Sequence, residues 1–365
     1  MRCEILRPNK LFFCILLIIS ISLMNIQGLN VSASVEPPKK LVVHFLDVGQ
    51  ADSILIQLPD EKVSLIDAGN APDAATIIKY IKALGIKKLD YVIGTHPHED
   101  HIGGMAEVVK AFDIGEIYMP KAISTTKTFE NLLLTIKSKK LTISEPKAGT
   151  DIIASGDIKY SILAPTVATY KELNDYSIMT KLIYKNNAFL FTGDAEKVSE
   201  DLIIKAKYNL KADVLKVGHH GSTTSTSPAF AQAVSPKYSI ISVGKDNSYN
   251  HPDNIIISRL KTYGEVHRTD LEGTIVVTSD GNKLTLVAQK TSTAMPTIIP
   301  PDNQPNTIVP LVPIALVGQE SIVYVTKTGT KYHKDGCSYL SKSKIEINLT
   351  DAISKSYGPC SKCKP

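Results

Sequence analysis

Cysteine is scarce, with five in 365 residues, and its placement excludes a disulfide-framed fold. Cys3 and Cys14 lie near the start, whereas Cys337, Cys360 and Cys363 crowd into the last thirty residues. An odd set of clustered thiols in an exported chain points to metal binding instead. Net charge is small as well. The 41 Lys and Arg against 36 Asp and Glu leave +5, too little for a nucleic-acid coat protein. The excess sits at the ends: Arg2, Arg7 and Lys10 outweigh Glu4, and the final 45 residues carry eight Lys against Asp335, Glu346 and Asp351. Apolar runs of membrane length are missing too. The longest, residues 11–24 (LFFCILLIISISLM), would span about 21 Å as a helix against a hydrocarbon core of ~30 Å.

That run follows a basic start and precedes Val31-Ser32-Ala33, so residues 1–33 read as a signal peptide cleaved near Ala33. An uncleaved anchor reaching Val31 is the alternative. Either way the protein is expected outside the cell or on its surface. Cys14 lies inside the apolar run, which argues against a lipoprotein cleavage site. No other stretch could span a membrane, so no membrane channel of its own is expected.

With 43% hydrophobic and 21% charged residues, the remainder has globular composition, which excludes a disordered, collagenous or coiled-coil chain. Residues 34–290 alternate short β-branched runs with amphipathic stretches, as in an α/β (α+β) domain of sheets covered by helices. Strands are expected at 41–47, 53–58, 63–68, 89–95, 160–164, 178–184, 188–194, 213–218, 238–244, 273–279 and 284–288. Helices are expected at 73–83, 102–110, 128–138, 196–206, 228–234 and 253–262. The short links between the first three strands predict an antiparallel meander. Residues 291–320 carry six Pro and read as an extended linker. Residues 321–365 form a second unit, too short for an apolar core alone to stabilise, so a metal or cross-link is required.

The densest chemistry is His96-Pro97-His98-Glu99-Asp100-His101, directly after the strand LDYVIGT. On an extended strand end His96 and His98 point the same way and can hold one ion. Turning into the helix at Ile102-Gly103-Gly104 throws Asp100 and His101 to the other side, where they can hold a second. Imidazole nitrogen with carboxylate oxygen suits zinc or manganese.

HPHEDHIGG resembles the HxHxDH signature of the metallo-β-lactamase superfamily. HFLDVGQADSILI and VSLIDAG resemble its branch typified by the exported domain of the competence protein ComEC. LFTGDA, VLKVGHHGS, NHP and VHRTDLEGTIVV follow in the same order. The resemblance covers about residues 41–288, with Ala51 where Gly is more usual. It implies a four-layer αββα sandwich with two divalent ions at one edge, bridged by Asp194. His219 or His220 would complete the second ion's ligands, with its neighbour facing the substrate. Asp47 and Asp67 would orient ligands from behind, or merely shape turns. The further His of many members is missing, so Asn174, Asp175 or water would fill its place. Ser222, His251 and Thr269 would hold a phosphodiester's free oxygens, with a flanking cation or His251 steadying the leaving oxygen. Asp100, Asp194 and the spare His of the pair, His219 or His220, are candidates for moving the proton.

Two such ions about 3.5–4 Å apart lower the pKa of a bridging water, so hydrolysis through a metal-bridging hydroxide is the expected chemistry. Ser222 in HHGS is not a G-x-S-x-G elbow. The resemblance favours a nuclease or phosphodiesterase acting on DNA. Hydrolysis of a lactam, lactone or phosphocholine ester is the alternative, as is a surface DNA-binding protein with a vestigial site. No protein partner is inferable. In the tail, His333, Cys337, Cys360 and Cys363 form H-x3-C and C-x2-C, a donor set for one structural zinc. KYHKDGCSYL and SYGPCSKCKP resemble small Ada-type zinc-binding modules. The surrounding lysines point to DNA phosphates, or simply to a solvated basic surface.

Overall fold

The structure, a computed structural model, describes residues 39–290, 322–348, 352, 355 and 357–363. The expected signal peptide and Pro-rich linker lie outside the described residues. Two compact units fall on either side of Pro301.

The larger unit begins with β1 (Leu41–Phe45), β2 (Ile54–Gln57), β3 (Val63–Ile66), β4 (Lys88–Ile93), β5 (Asp113–Tyr118) and β6 (Ile143–Ser144). Next come β7 (Asp151–Ser155), β8 (Ile158–Ile162), β9 (Thr180–Tyr184), β10 (Asn187–Phe191), β11 (Val214–Lys216), β12 (Tyr238–Ile241) and β13 (Glu265–Arg268), before β14 (Ile275–Ser279) and β15 (Leu284–Ala288). They form an eight-stranded sheet, β15-β14-β1-β2-β3-β4-β5-β6, and a seven-stranded sheet, β13-β12-β11-β10-β9-β8-β7. The opening meander is antiparallel, after which β3, β4 and β5 run parallel.

Side-chain alternation explains the layers. Leu41, Val43 and Phe45 of β1, with Ile54 and Ile56 of β2, meet Phe189 and Phe191 of β10 between the sheets. The Phe45 and Phe191 rings lie 6.3 Å apart. Leu55 and Leu65 point the other way, onto the helices Ala74–Ala83, Met105–Ala111 and Lys127–Ser138. Leu190 and Leu215 of the second sheet likewise face Lys197–Lys205, Pro228–Val234 and Asn254–Lys261. Two mixed sheets flanked by helices give the αββα order, and each fully buried aliphatic or Phe side chain contributes about 1.5–3 kcal/mol.

The helix expected at 102–110 starts earlier, at Glu99, stops at Ile102 and resumes at Met105. Four strands of the larger unit escaped the pattern. β5 (DIGEIY) and β13 (EVHR) lack clean alternation, and β6 and β7 are edge strands. Pairing with buried neighbours, rather than intrinsic preference, holds them extended.

His44 is an exception on the outer face of β1, where apolar residues would serve. It is buried, with Nδ1 2.9 Å from the Tyr80 hydroxyl and Nε2 3.0 Å from Gln57 Oε1. Burial lowers its pKa from the ordinary 6.5 to about 4, although the Gln57 hydrogen bond opposes this. The folded state therefore resists protonation. This contribution to stability is complete above pH 6.5 and disappears as the pH falls toward 4, a loss of about 3 kcal/mol. Urea midpoints of the wild type and His44→Gln should diverge as the pH falls from 7 to 5, the variant losing less. Parallel curves would refute the assignment.

The second unit contains β16 (Ile322–Val325), β17 (Lys331–Tyr332), β18 (Ile345–Asn348) and β19 (Gly358–Pro359), pairing antiparallel β16 to β18 and parallel β17 to β19. Its core cluster is Cys337, Leu340 and Cys360, with Tyr324 and Cys363 against it. So few apolar groups cannot offset the chain entropy of folding, and thiols occupy the centre.

Candidate metal centre

The site lies beyond the C-terminal ends of β3, β4, β10 and β11. β3 and β4 are parallel, as are β10 and β11, so within each pair the following turns emerge together. Backbone contacts clamp the HPHEDH segment there. The amide of Asp52 donates to the Asp100 carbonyl (3.0 Å), and that of Ala68 donates to the His101 carbonyl (2.7 Å). Gly104 is required by this approach, because a Cβ on it would stand 2.3 Å from the Ala68 carbonyl oxygen.

Asp100, His101, Asp194 and His220 converge, their ligand atoms all within 4.8 Å of one another. Asp194 Oδ2 lies 3.2 Å from His101 Nε2 and 3.6 Å from His220 Nε2, and Asp100 Oδ2 lies 3.2 Å from His220 Nε2. His96 and His98 stand beside them, Nε2 of the first 3.0 Å from Nδ1 of the second. The His96 ring centroid is 4.2 Å from that of His101. Ser177 Oγ links the two halves, accepting from the Asp194 amide (3.0 Å) and lying 3.3 Å from His96 Nδ1.

Each inward nitrogen is aimed by what its opposite nitrogen meets. Asp67 Oδ2 lies 2.7 Å from His101 Nδ1, and the Asp67 carboxylate is itself fixed by the Thr95 amide and hydroxyl at 2.8 and 2.7 Å. His220 Nδ1 donates to the Ser242 carbonyl at 2.9 Å, which turns its Nε2 toward the carboxylates. Such partners set ring orientation and raise ligand basicity. Backbone strain accompanies them: Asp67, His219 and His220 have φ of 57°, 49° and 52°. The left-handed region costs roughly 1–2 kcal/mol per non-Gly residue, and such strain concentrates at functional sites.

Electrostatics follow from the crowding. Burial opposes ionisation of Asp194, yet His101 and His220 outweigh it and hold the carboxyl well below the usual range. Asp100 is lowered in the same way, His101 and the His220 hydrogen bond overcoming its burial. In turn Asp194, Asp100 and Asp67 raise His101 despite its burial, and Asp194 and Asp100 raise His220. Burial depresses His96 and His98, leaving them neutral donors.

The donor set fits a pair of divalent cations. His101 Nε2 and Asp194 Oδ1 are buried without a hydrogen-bond partner, an expensive condition unless an ion takes their lone pairs. His101, His220, Asp100 and Asp194 surround one position, while His96 and His98 lie on the adjoining side.

His220, rather than His219, joins the cluster. His219 stands alongside with Nε2 3.9 Å from Asp194 Oδ2, while its Nδ1 meets Thr224 Oγ1 at 3.0 Å and Glu196 Oε1 at 3.3 Å. Asn174 faces the same space: Nδ2 donates to Glu196 (3.0 Å), and Oδ1 is buried without a partner. Asp175 does not. Its Oδ1 accepts the amides of Glu196 and Ser199, both at 3.2 Å, so it anchors the start of the next helix and is unavailable to a metal. Thr269 must also be corrected, because its buried hydroxyl is used by the Val243 amide and carbonyl (2.9 and 3.0 Å) rather than facing a substrate. Asp47 orients no ligand; it meets Lys290 at 3.4 Å and shapes the turn at Gly49. Ser222 Oγ shares a hydrogen bond with Thr224 (3.1 Å). His251 is half-buried with its ring 5.7 Å from that of His219.

Sequence reasoning missed Glu196, Thr224, Ser177 and the buried pair Lys216–Asp52. Two of these left a signal: Ser177 ends the N-x-x-S form that begins at Asn174, and Lys216 stands inside the apolar strand DVLKVG. In the second unit the ligand atoms of His333, Cys337, Cys360 and Cys363 also lie within 4.8 Å of one another, with no disulfide among these cysteines. This is a closed donor set for a structural metal.

Residues 46–245 match the family described as the metallo-beta-lactamase superfamily. The chain is 33% identical over 251 residues to ComE operon protein 3 of Bacillus subtilis (strain 168), covering 64% of this chain and 32% of that protein. It is 30% identical over 244 residues to Competence protein ComA of Neisseria gonorrhoeae, covering 66% and 32%. Against Recombination protein 2 of Haemophilus influenzae it is 30% identical over 255 residues, covering 68% and 30%. It therefore spans about a third of the length of these relatives. With the family match covering more than half of the chain and the His/Asp cluster lying inside it, this protein belongs to the metallo-β-lactamase superfamily, as a domain related to the ComEC and ComA competence proteins.

Proposed function

We propose that the chain is an exported hydrolase of phosphodiesters, with DNA as the favoured substrate and two zinc or manganese ions at the rim of the sandwich. The observation that carries this reading is the buried Asp100, His101, Asp194 and His220 cluster with its unpartnered His101 Nε2 and Asp194 Oδ1. Asp100, His101, Asp194 and His220, with His96 and His98, would hold divalent ions there, and such ions would supply a polarised water and offset charge on the attacked phosphorus. The chain's own groups do the rest. Asp194 and Asp100 hold the positive charge, and His219, its Nδ1 occupied by Thr224 and Glu196, presents Nε2 to hold or pass a proton. His251, beside it, steadies the leaving oxygen.

The relatives' names, competence protein and recombination protein, favour nucleic acid over a lactam. In the second unit a zinc ion in the Cys/His cluster holds a lysine-rich surface that contacts DNA phosphates with salt-sensitive affinity. The apolar leading segment favours action outside the cell or at its surface. Among the described residues no helix is long and apolar enough to cross a membrane.

The test is substrate choice by the full chain, stripped with chelator and reloaded with zinc or manganese. Cleavage of a single-stranded oligonucleotide and of bis-p-nitrophenyl phosphate should return with the metal. Turnover of a lactam, lactone or phosphocholine ester with both phosphodiesters intact would overturn the reading. DNA binding with no metal in the first unit would instead leave a binding protein with a vestigial site.

A further inference from the structure

Tyr249 presents a large ring to water in a loop that is otherwise tied down. It is 66% exposed, between β12 and the helix Asn254–Lys261. Asn247 secures the loop from within. Its Oδ1 accepts the amides of Tyr249 (3.2 Å) and His251 (3.1 Å), while its Nδ2 donates to the carbonyls of Gly244 (2.9 Å) and His251 (2.7 Å). The Gly244 amide donates to Gln50 Oε1 at 3.0 Å, fastening the loop to the turn after β1. A loop held at these points keeps the ring outward, although burying it would be favourable.

The ring continues a line that begins at the metal centre. Tyr249 stacks on His251 with centroids 5.9 Å apart and planes 19° apart. The His251 ring meets that of His219 edge-on at 5.7 Å, and His219 Nε2 lies 3.9 Å from Asp194 Oδ2. A flat, solvent-facing surface thus stands one ring, His251, away from His219, the residue that adjoins the cluster. Flat aromatic faces beside a backbone-cutting centre accept nucleobases, because every base has a π-face.

We propose that Tyr249, backed by His251, is a stacking platform for the nucleobase next to the scissile phosphodiester. It selects substrates that carry a base over those that carry phosphates alone. The proposal rests on the phosphodiester reading above and adds the recognition element to that site. Tyr249 is a substrate-binding group in this scheme and takes no part in proton transfer.

The test compares two fluorescein-labelled, phosphorothioate-linked tetramers, one of thymidylate and one of abasic residues, binding to the metal-loaded full chain by anisotropy. Both tetramers carry the same backbone, so any phosphate contact is common to them and the ratio of the two dissociation constants isolates base contacts. The wild type should prefer the base-bearing tetramer by about 5- to 150-fold, the range for one base–aromatic stack. Tyr249→Ala should erase the preference, and Tyr249→Phe should retain it. A wild type without preference, or an Ala variant that keeps it, would overturn the proposal. Cleavage of the ordinary phosphate-linked tetramer is scored separately: base preference without cleavage would leave the platform standing and remove the phosphodiester reading.

Discussion

Asp194→Ala is expected to abolish metal-dependent hydrolysis and to leave only the ion of the Cys/His cluster bound. One oxygen of Asp194 faces three imidazole nitrogens, at 3.2 Å from His101, 3.6 Å from His220 and 3.9 Å from His219, while the other is buried without a partner. Loss of a group that merely orients a ligand lowers affinity roughly 10–100-fold, and a central carboxylate should cost more than that. The variant also removes the largest of the three carboxylate charges that raise His101, leaving Asp100 and, 2.7 Å from Nδ1, Asp67. Metal content by mass spectrometry, measured beside turnover, checks both halves. Full metal loading with intact activity would show that the cluster is not the catalytic centre.

Lys216→Met should destabilise the fold by about 3–5 kcal/mol, the usual cost of breaking a buried ion pair from one side. Lys216, at the end of β11, is 0% exposed, and Asp52, in the turn between β1 and β2, is 1% exposed. Their charges stand 2.7 Å apart, and the ammonium also donates to the Val217 carbonyl at 2.9 Å. The pair joins the two sheets beneath the rim, with Asp52 Oδ1 3.6 Å from His220 Nδ1. With Met in place, the Asp52 carboxylate stays buried and loses its cation. Changing both, Asp52→Leu with Lys216→Met, removes the stranded charge and should recover most of the loss. Urea unfolding of the two variants decides the matter. A single variant within about 0.5 kcal/mol of the wild type would place the pair among ordinary surface substitutions.

Much of the architecture is legible in the sequence. Short, nearly continuous apolar runs such as LVVHF and AFLF became strands buried on both faces, because a strand covered on both sides needs apolar side chains in both directions. The six-residue run from His96 to His101 was legible for a local reason too: a strand end and the helix start that follows it bring ligand-type side chains close together. Strands such as DIGEIY were not, since their extended form comes from a neighbour's hydrogen bonds rather than from their own residues.

Local spacing thus determined the fold class, the strand-end histidines and the four-ligand tail. Only tertiary structure separated His220 from His219, identical neighbours in sequence. Two consecutive left-handed residues and the Ser242 carbonyl, 22 positions away, turn the second ring inward. The same packing committed Asp175 to a helix start and left Asn174 facing the site. It also set Asp52 against Lys216. Such choices depend on which segments meet across the sheets, where burial makes each unpaired polar group costly, and no periodicity within a single segment encodes that.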